Sequence, residues 1–532
     1  MAQEAIAAAA SGDNRDHTTA RYHLLHNRRL IISVLILTQA SLCFGYDASV
    51  IGGILAMPAF IRTFGSVGPD GKPILTASQT SVITATRTSA SIPAVFACSY
   101  FGNTWGRKKT IWLGCFSTVI GTALQTGSVN EVMMTIGLTI ANFGYFIMVS
   151  MASTLTIEIS PPSVRGIAGA MSVVAIGSAS VLSSGIAWGT YRFTSDAAFR
   201  IPVALENFFP ILMAICMIYV MDSPTSYLIN GDDANAERSL RLVRQGYTAE
   251  ELAREMESLK WQAQLRKEEA NVKWFEIFKG VNLRRTLLAT FIGIIQNLSG
   301  SLFASAYATI FLSEVGTANP FLLVFALNIL VLGGTVVGLF LIDTIGRRPL
   351  MLISFISLFT IDIIIGGLGF GDATNTGVIQ AIAAFNLLFG FVNAFGISPL
   401  TWLNAAELPT ARLRNVTNAW VLLCISLSSL TVGYVLPYIA DADAGDLGAK
   451  TYLIFAFFMF FGLVITWFYW PEAKGRSPAE LDEMFDARVP ARKFKGYKTA
   501  LNAGNVEIVV TEKNGAELAQ AVNVEDKRAV LS

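Results

Sequence analysis

The sequence predicts an all-α membrane protein, with twelve transmembrane helices in two pseudo-symmetric six-helix bundles. Three observations carry that prediction. Of the 532 residues, 53% are hydrophobic and only 14% are charged, against about 25% charged in a soluble domain. Apolar runs long enough to cross about 30 Å of hydrocarbon, roughly 20 residues each, recur twelve times. Short polar landmarks in the first half return in the second at nearly one offset.

In order, the apolar runs lie near 30–60, 78–101, 110–127, 132–156, 167–190 and 203–221, then 287–312, 319–342, 349–371, 378–403, 415–438 and 450–470. They divide the chain into a tail (1–29), a bundle (30–221), a linker (222–284), a second bundle (285–470) and a second tail (471–532). The first tail ends in His26-Asn27-Arg28-Arg29 and is too long and too polar for a signal n-region, so the first span is expected to stay uncleaved. The linker is rich in Glu, Lys and Arg, with apolar residues at helical spacing at Leu240, Val243, Leu252, Met256 and Leu259. That pattern predicts short surface helices. Beyond residue 486 the chain is polar and is expected to be mostly without regular structure.

Lys and Arg in short loops set orientation. One set of loops holds Arg28, Arg29, Arg107, Lys108, Lys109, Arg165, Arg347, Arg348, Arg412 and Arg414. The other holds Arg62, Lys72, Arg192, Arg200 and Lys450, with Asp441, Asp443 and Asp446. The first set, both tails and the linker are therefore expected in the cytosol.

The same loops carry the repeat. Gly346 of "DTIGRRP" follows Gly106 of "NTWGRKK" by 240 residues, Glu407 of "ELPTARLRN" follows Glu158 of "EISPPSVRG" by 249, and Glu472 of "PEAKGRS" follows Asp222 of "DSP" by 250. Repetition at a fixed offset marks a duplicated transporter bundle. Gly permits a tight turn, while Arg can pair with carboxylates on neighbouring helix ends. Arg107, Glu158, Arg165, Asp343, Arg347, Glu407, Arg412, Arg414 and Glu472 are thus inner-gate candidates, holding each half rigid or locking the halves together. Topology signalling alone would also explain any single basic turn.

Two charges lie inside predicted spans and are proton-coupling candidates, because a buried intramembrane charge is costly. Asp47 sits within the first span and Arg87 within the second. Arg87 either partners Asp47, for proton coupling or for an anionic substrate, or snorkels outward on its long stem. Glu206 opens the sixth run, facing an outer vestibule or the interface, and Asp362 lies within the ninth, where an interhelical hydrogen bond is its only evident use.

The motifs "GYDASVIGGILAM" (45–57), "GNTWGRKK", "EISPPSVRG", "SPTSYLINGDDANAERSL", "QNLSGSLFASAY" (296–307), "DTIGRRP", "AAELPTARLR" and "PEAKGRSPAELDEMF" resemble, in this order and spacing, the fungal branch of the sugar porters of the major facilitator superfamily. The resemblance runs from about Gly45 to Phe485. It implies the major facilitator fold and alternating access in the plasma membrane. It also implies a small sugar-like solute, often carried with a proton. Such folds seat the solute near the bilayer midplane between the halves. Amides satisfy hydroxyls directionally and an indole offers a flat apolar wall with one donor, so the substrate-binding candidates are Gln296, Asn297, Ser301, Tyr307 and Trp402. Interhelical tying is the alternative use of the two amides.

The chain departs from the family pattern at several positions. Val173 stands where a sugar-binding Gln is usual, Leu302 and Ile425 where Asn is usual, and Ala306 where one of two aromatics is usual. Leu138 replaces the fourth-span Arg that pairs with the first-span Asp, and Asn103 replaces an Asp. Each lost hydrogen bond leaves a hydroxyl desolvated at a cost of about 1–3 kcal/mol, which favours a less hydroxylated solute than a hexose. A non-sugar metabolite, an organic acid or an exported secondary metabolite, is the alternative cargo. A sensor that binds without transporting is a third reading, set against a tail of only about 60 residues from Pro471.

Other chemistries find no support. The balance of 39 Lys and Arg against 38 Asp and Glu points to no nucleic-acid partner. There is no phosphate-loop motif for ATP, and His17, His23 and His26 all lie in the first tail. Neither a cofactor, a metal nor an enzymatic activity is expected. The five cysteines fall in apolar runs and read as packing residues.

Overall fold

Hydrocarbon offers the backbone no hydrogen-bond partner, so an apolar spanning run must satisfy itself as a helix. The computed structural model describes residues 23, 27–68, 71–269, 274–304, 319–372, 375–441, 443–476, 478–497, 499, 506–513 and 516–523. Its membrane spans are, in order, Arg28–Leu55 (span 1), Ala77–Ser89 with Ser91–Thr104 (span 2), Arg107–Thr126 (span 3), Glu131–Ile159 (span 4), Pro162–Thr190 (span 5) and Ala197–Leu205 with Phe208–Cys216 (span 6). The second half has Gly280–Asn297 (start of span 7), Pro320–Ile345 (span 8), Arg347–Leu368 (span 9), Thr376–Phe395 with Ile397–Glu407 (span 10), Arg414–Ala440 (span 11) and Tyr452–Tyr469 (span 12).

Among the described residues, nine spans are long and apolar enough to cross a bilayer by length and composition alone. The other three each have a local reason. Span 2 is interrupted at Ala90 and carries Arg87, span 3 opens on Arg107-Lys108-Lys109, and the described helix of span 7 ends at Asn297. Span 1 stops at Leu55, short of the predicted residue 60, because Pro58 starts a separate helix, Pro58–Phe64.

Spans 3 and 4, 1 and 5, and 1 and 4 pack together in the first half; spans 8 and 10, 9 and 12, and 7 and 11 pack in the second. Each half has its own apolar interior, around Met148 and Phe60 in the first and around Phe355, Phe389 and Met459 in the second. The halves meet along spans 2 and 11 and along spans 5 and 8.

Hydrogen bonds that link described residues of the two halves lie from mid-depth to the face opposite the basic turns. Asn319 Nδ2 donates to Tyr191 Oη at 2.8 Å, Ser81 Oγ to the Tyr434 carbonyl at 2.9 Å, the Ala77 amide to Asp443 Oδ2 at 2.9 Å, and Asn328 Nδ2 to Ser49 Oγ at 3.3 Å. Tyr191 stacks on Phe321 and Trp188 on Phe325, with ring centroids 4.7 and 5.7 Å apart.

Outside the bundles the chain is more ordered than its polarity suggests. The linker includes a 21-residue helix, Ala249–Glu269, longer than the short helices expected. It docks under the first half: Arg244 is buried, donates to the Ile159 carbonyl at 2.7 Å and grips Glu255, and Asn27 donates to the Val243 carbonyl. The second tail begins on the second half, where buried Arg285 pairs with Asp482 and lies 4.3 Å over the Phe485 ring. Beyond residue 486, where no regular structure was expected, Phe494 is fully buried and Val506–Lys513 pairs with Ala516–Asn523 as an antiparallel hairpin.

Candidate functional site

The basic face is built twice. Gly106 and Gly346 have φ of 90° and 102° with ψ of 166° and 169°, an extended positive-φ region open essentially to glycine alone that costs an L side chain roughly 1–3 kcal/mol. A Cβ on Gly106 would sit 2.3 Å from Asp222 Oδ2, and one on Gly346 would sit 2.9 Å from Glu472 Oε2. Each carboxylate accepts from the amides that open the next span: Asp222 from Lys108 at 3.2 Å, Glu472 from Arg347 and Arg348 at 3.1 Å. Burial pushes the Asp222 carboxyl up from its ordinary range, and the amides of Ser223 and Lys108 pull it partly back.

The arginine that follows each glycine pairs within its own half, Arg107 with Glu158 at 3.1 Å and Arg347 with Glu407 at 2.9 Å. Asp343, 3.6 Å from Arg347, is largely exposed. Its counterpart Asn103 is exposed and brings no charge, while each arginine also donates to the carbonyl five residues back, Arg107 to Gly102 at 3.1 Å and Arg347 to Ile342 at 3.4 Å. Arg165 Nε donates to the Ser160 carbonyl at 3.1 Å, and Arg412 pairs with Glu276 ahead of span 7. Arg414 opens span 11.

Inside the first half, Arg87 reaches Asp47 and forms an ion pair. Asp47 is fully buried and the Arg87 side chain is 12% exposed, so the guanidinium turns inward rather than snorkelling. Leu138, in the fourth-span position, is fully buried in the apolar cluster that also holds Tyr46 and Val50. Span 2, not span 4, thus supplies the cation. Glu206 faces neither an outer vestibule nor the interface. It is 1% exposed, accepts from Tyr145 Oη at 3.2 Å and lies within Coulombic reach of both Asp47 and Arg87. Span 6 is interrupted here because Pro210 has no N–H for the Glu206 carbonyl. Asp47 pairs directly with the guanidinium, and Glu206 is a second buried carboxyl nearby.

The second cluster forms where span 7 breaks. The helix ends at Asn297, Gly300 takes φ of 86°, and the freed Gln296 carbonyl accepts from Ser299 Oγ at 2.7 Å and Ser301 Oγ at 3.2 Å. Non-helical backbone at this depth needs protein partners or a cavity. Asn297 Nδ2 is committed to span 11, donating to Ser428 Oγ at 2.7 Å and the Ile425 carbonyl at 3.0 Å. Gln296 Nε2 reaches only Ser398 Oγ on span 10, at 3.5 Å, the limit of a hydrogen bond. Trp402 is one helical turn beyond Ser398, on the same helix face, and is 53% exposed. Gln296 and Trp402 thus share one flank of the second half. Tyr307 lies outside the described residues, and Val173 is half-buried.

Three signals were readable but unused: the Ser299-Gly300 pair that ends the span 7 helix, Pro210 at the span 6 interruption, and Ser398 one turn before Trp402.

Comparison with known proteins fits this geometry. The chain is 25% identical over 476 residues to the high glucose sensor RGT2 of Saccharomyces cerevisiae, a match that spans 86% of this chain and 61% of the sensor's length. It is 24% identical to the probable glucose transporter rco-3 of Neurospora crassa, over 85% of this chain and 78% of the relative. Among solved structures, the inward-open xylose transporter XylE of E. coli superposes with a TM-score of 0.68 at 20% identity, covering 85% of this chain and 99% of XylE. The family described as "Sugar (and other) transporter" matches residues 33–485. Two six-span halves, a doubled basic turn and a broken span 7 are what that match brings together, and the chain belongs to the sugar (and other) transporter family.

Proposed function

We propose that the protein carries a small sugar-like solute across the plasma membrane by alternating access, with both termini and the basic face in the cytosol. The observation that supports this most is the span 7 break. It leaves the Gln296 amide almost uncommitted at mid-depth, on the flank that also carries the Trp402 indole. In this reading Gln296, Ser301, Tyr307 and Trp402 contact solute, and Asn297 holds spans 7 and 11 at the right separation. Val173 and Ile425 offer methyl groups where hydroxyl partners would be needed, which supports a solute with fewer hydroxyls than a hexose.

Coupling to a proton rests on the buried Asp47–Arg87–Glu206 group. If both carboxyls are ionised the group carries one uncompensated negative charge in low dielectric, so one proton has a natural place there. A proton held by this group would loosen the hold on Arg87, and that exchange is the step that would link proton entry to tilting of the halves.

The test is growth of a hexose-uptake-null host expressing the chain, on a panel of hexoses, pentoses, deoxysugars and polyols. Rescue by at least one of them, lost in Gln296→Ala at equal surface expression, is the expected result. No rescue by any of them with confirmed surface expression would move the cargo to a non-sugar metabolite.

A further inference from the structure

The second half contains a buried acid that neither the gate nor the solute cluster uses. Asp362 is the sixteenth of the 22 residues of span 9 and is fully buried. It lies six residues from Leu368, about 9 Å below that helix end at 1.5 Å per residue. Neither carboxyl oxygen has a hydrogen-bond partner. An ionised carboxylate in such a place has lost its hydration and gained nothing in return.

Among the described residues, its surroundings hold no compensating cation. Span 12 brings Tyr452, within Coulombic reach of Asp362, and Tyr469 at its far end. Span 10 brings Asn386 but no titratable side chain along Thr376–Phe395, and Ile397–Glu407 brings only Glu407, which pairs with Arg347 on the basic face. Span 8 contributes Asp343 on that same face. The turn before span 12 contributes Lys450, which lies 5.0 Å over the Phe370 ring.

Tyr452, buried on span 12, is a neighbour able to receive a hydrogen. Its hydroxyl donates to Asn386 Oδ1 at 3.0 Å, which leaves the phenolic oxygen free to accept. Its ring meets Phe303, just past the span 7 break, edge-on at 5.1 Å.

We propose that Asp362 is a proton-binding site of the second half, separate from the Asp47 group. As a neutral acid it donates to the Tyr452 oxygen, whose own hydrogen goes to Asn386, tying spans 9, 12 and 10 together. The ligand is a proton, and no other bond is made or broken.

Infrared spectroscopy of the purified protein in lipid at neutral pH tests this through the carbonyl band of protonated carboxyls. The wild type minus Asp362→Asn difference is expected to contain such a band, and Asp47→Asn is expected to retain it. Tyr452→Phe keeps the ring and removes the acceptor, so the same band should move to higher frequency. An Asp362→Asn spectrum with every protonated-carboxyl band intact would overturn the proposal. So would a band that stays in place in Tyr452→Phe, a measurement that stands even if the Asn variant does not fold.

Discussion

Asp47 and Arg87 show what one buried charge demands of its neighbours. Removing one partner of a buried pair leaves the other uncompensated, at about 3–5 kcal/mol. Arg87→Met is therefore expected to lower thermal stability and surface expression sharply, and adding Asp47→Asn should restore part of the loss. By itself Asp47→Asn should leave a folded protein whose transport no longer changes with external pH, read as uptake rate against pH. The two residues stood out in the sequence because charges inside apolar runs are rare. That they meet is a matter of tertiary packing, which no composition signal announces. Asn297 shows the reverse. Its place beside Gln296 suggested a solute contact, yet the packing of span 11 gives its amide two protein acceptors.

At the scale of elements, the tight turns on the basic face were legible because they are written twice, and a glycine before a basic run has few other uses. Their carboxylate caps were half-legible: Asp222 and Glu472 share the offset, but their acceptance of backbone amides is a matter of helix-end geometry. Gly346→Ala combines a positive φ with a Cβ only 2.9 Å from Glu472. We expect it to cost about 1–3 kcal/mol from backbone strain, seen as a lower unfolding temperature. Gly166→Ala, near the start of span 5 with open space around its Cβ, should be neutral or slightly stabilising. Helix interruptions were the least legible feature. Length and hydropathy describe a span as one unit, whereas span 10 restarts at Gly396, where a Cβ would fall 1.7 Å from Ser354 Oγ, a crowding that exists only once span 9 is in place.

At the scale of the molecule, the two halves were readable from the repeated landmarks, but which surfaces tie them was not. Arg107 and Arg347 were candidates either for holding each half rigid or for locking the halves together, and each pairs inside its own half with a neighbouring helix end. Apart from Asp443, which accepts from the Ala77 amide, the described hydrogen bonds across the halves use uncharged groups, Tyr191, Asn319, Ser81, Ser49 and Asn328 among them, scattered over spans with no shared motif. Tyr191→Phe keeps the stack on Phe321 and deletes the Asn319 bond. Losing about 0.5–1.5 kcal/mol should raise the population open on that face roughly two- to tenfold, measured by the labelling rate of a cysteine placed at Ser49.

The polar appendages have divided loyalties. Arg244 and Asn27 fasten the linker to the first half, while Arg285 and Phe485 fasten the start of the second tail to the other. Each therefore rides as a lever arm on a different body, outside the hydrocarbon and remote from any bound cargo. A donor dye on one and an acceptor on the other would turn the rocking of the bundles into a change in brightness, without a single label inside the membrane.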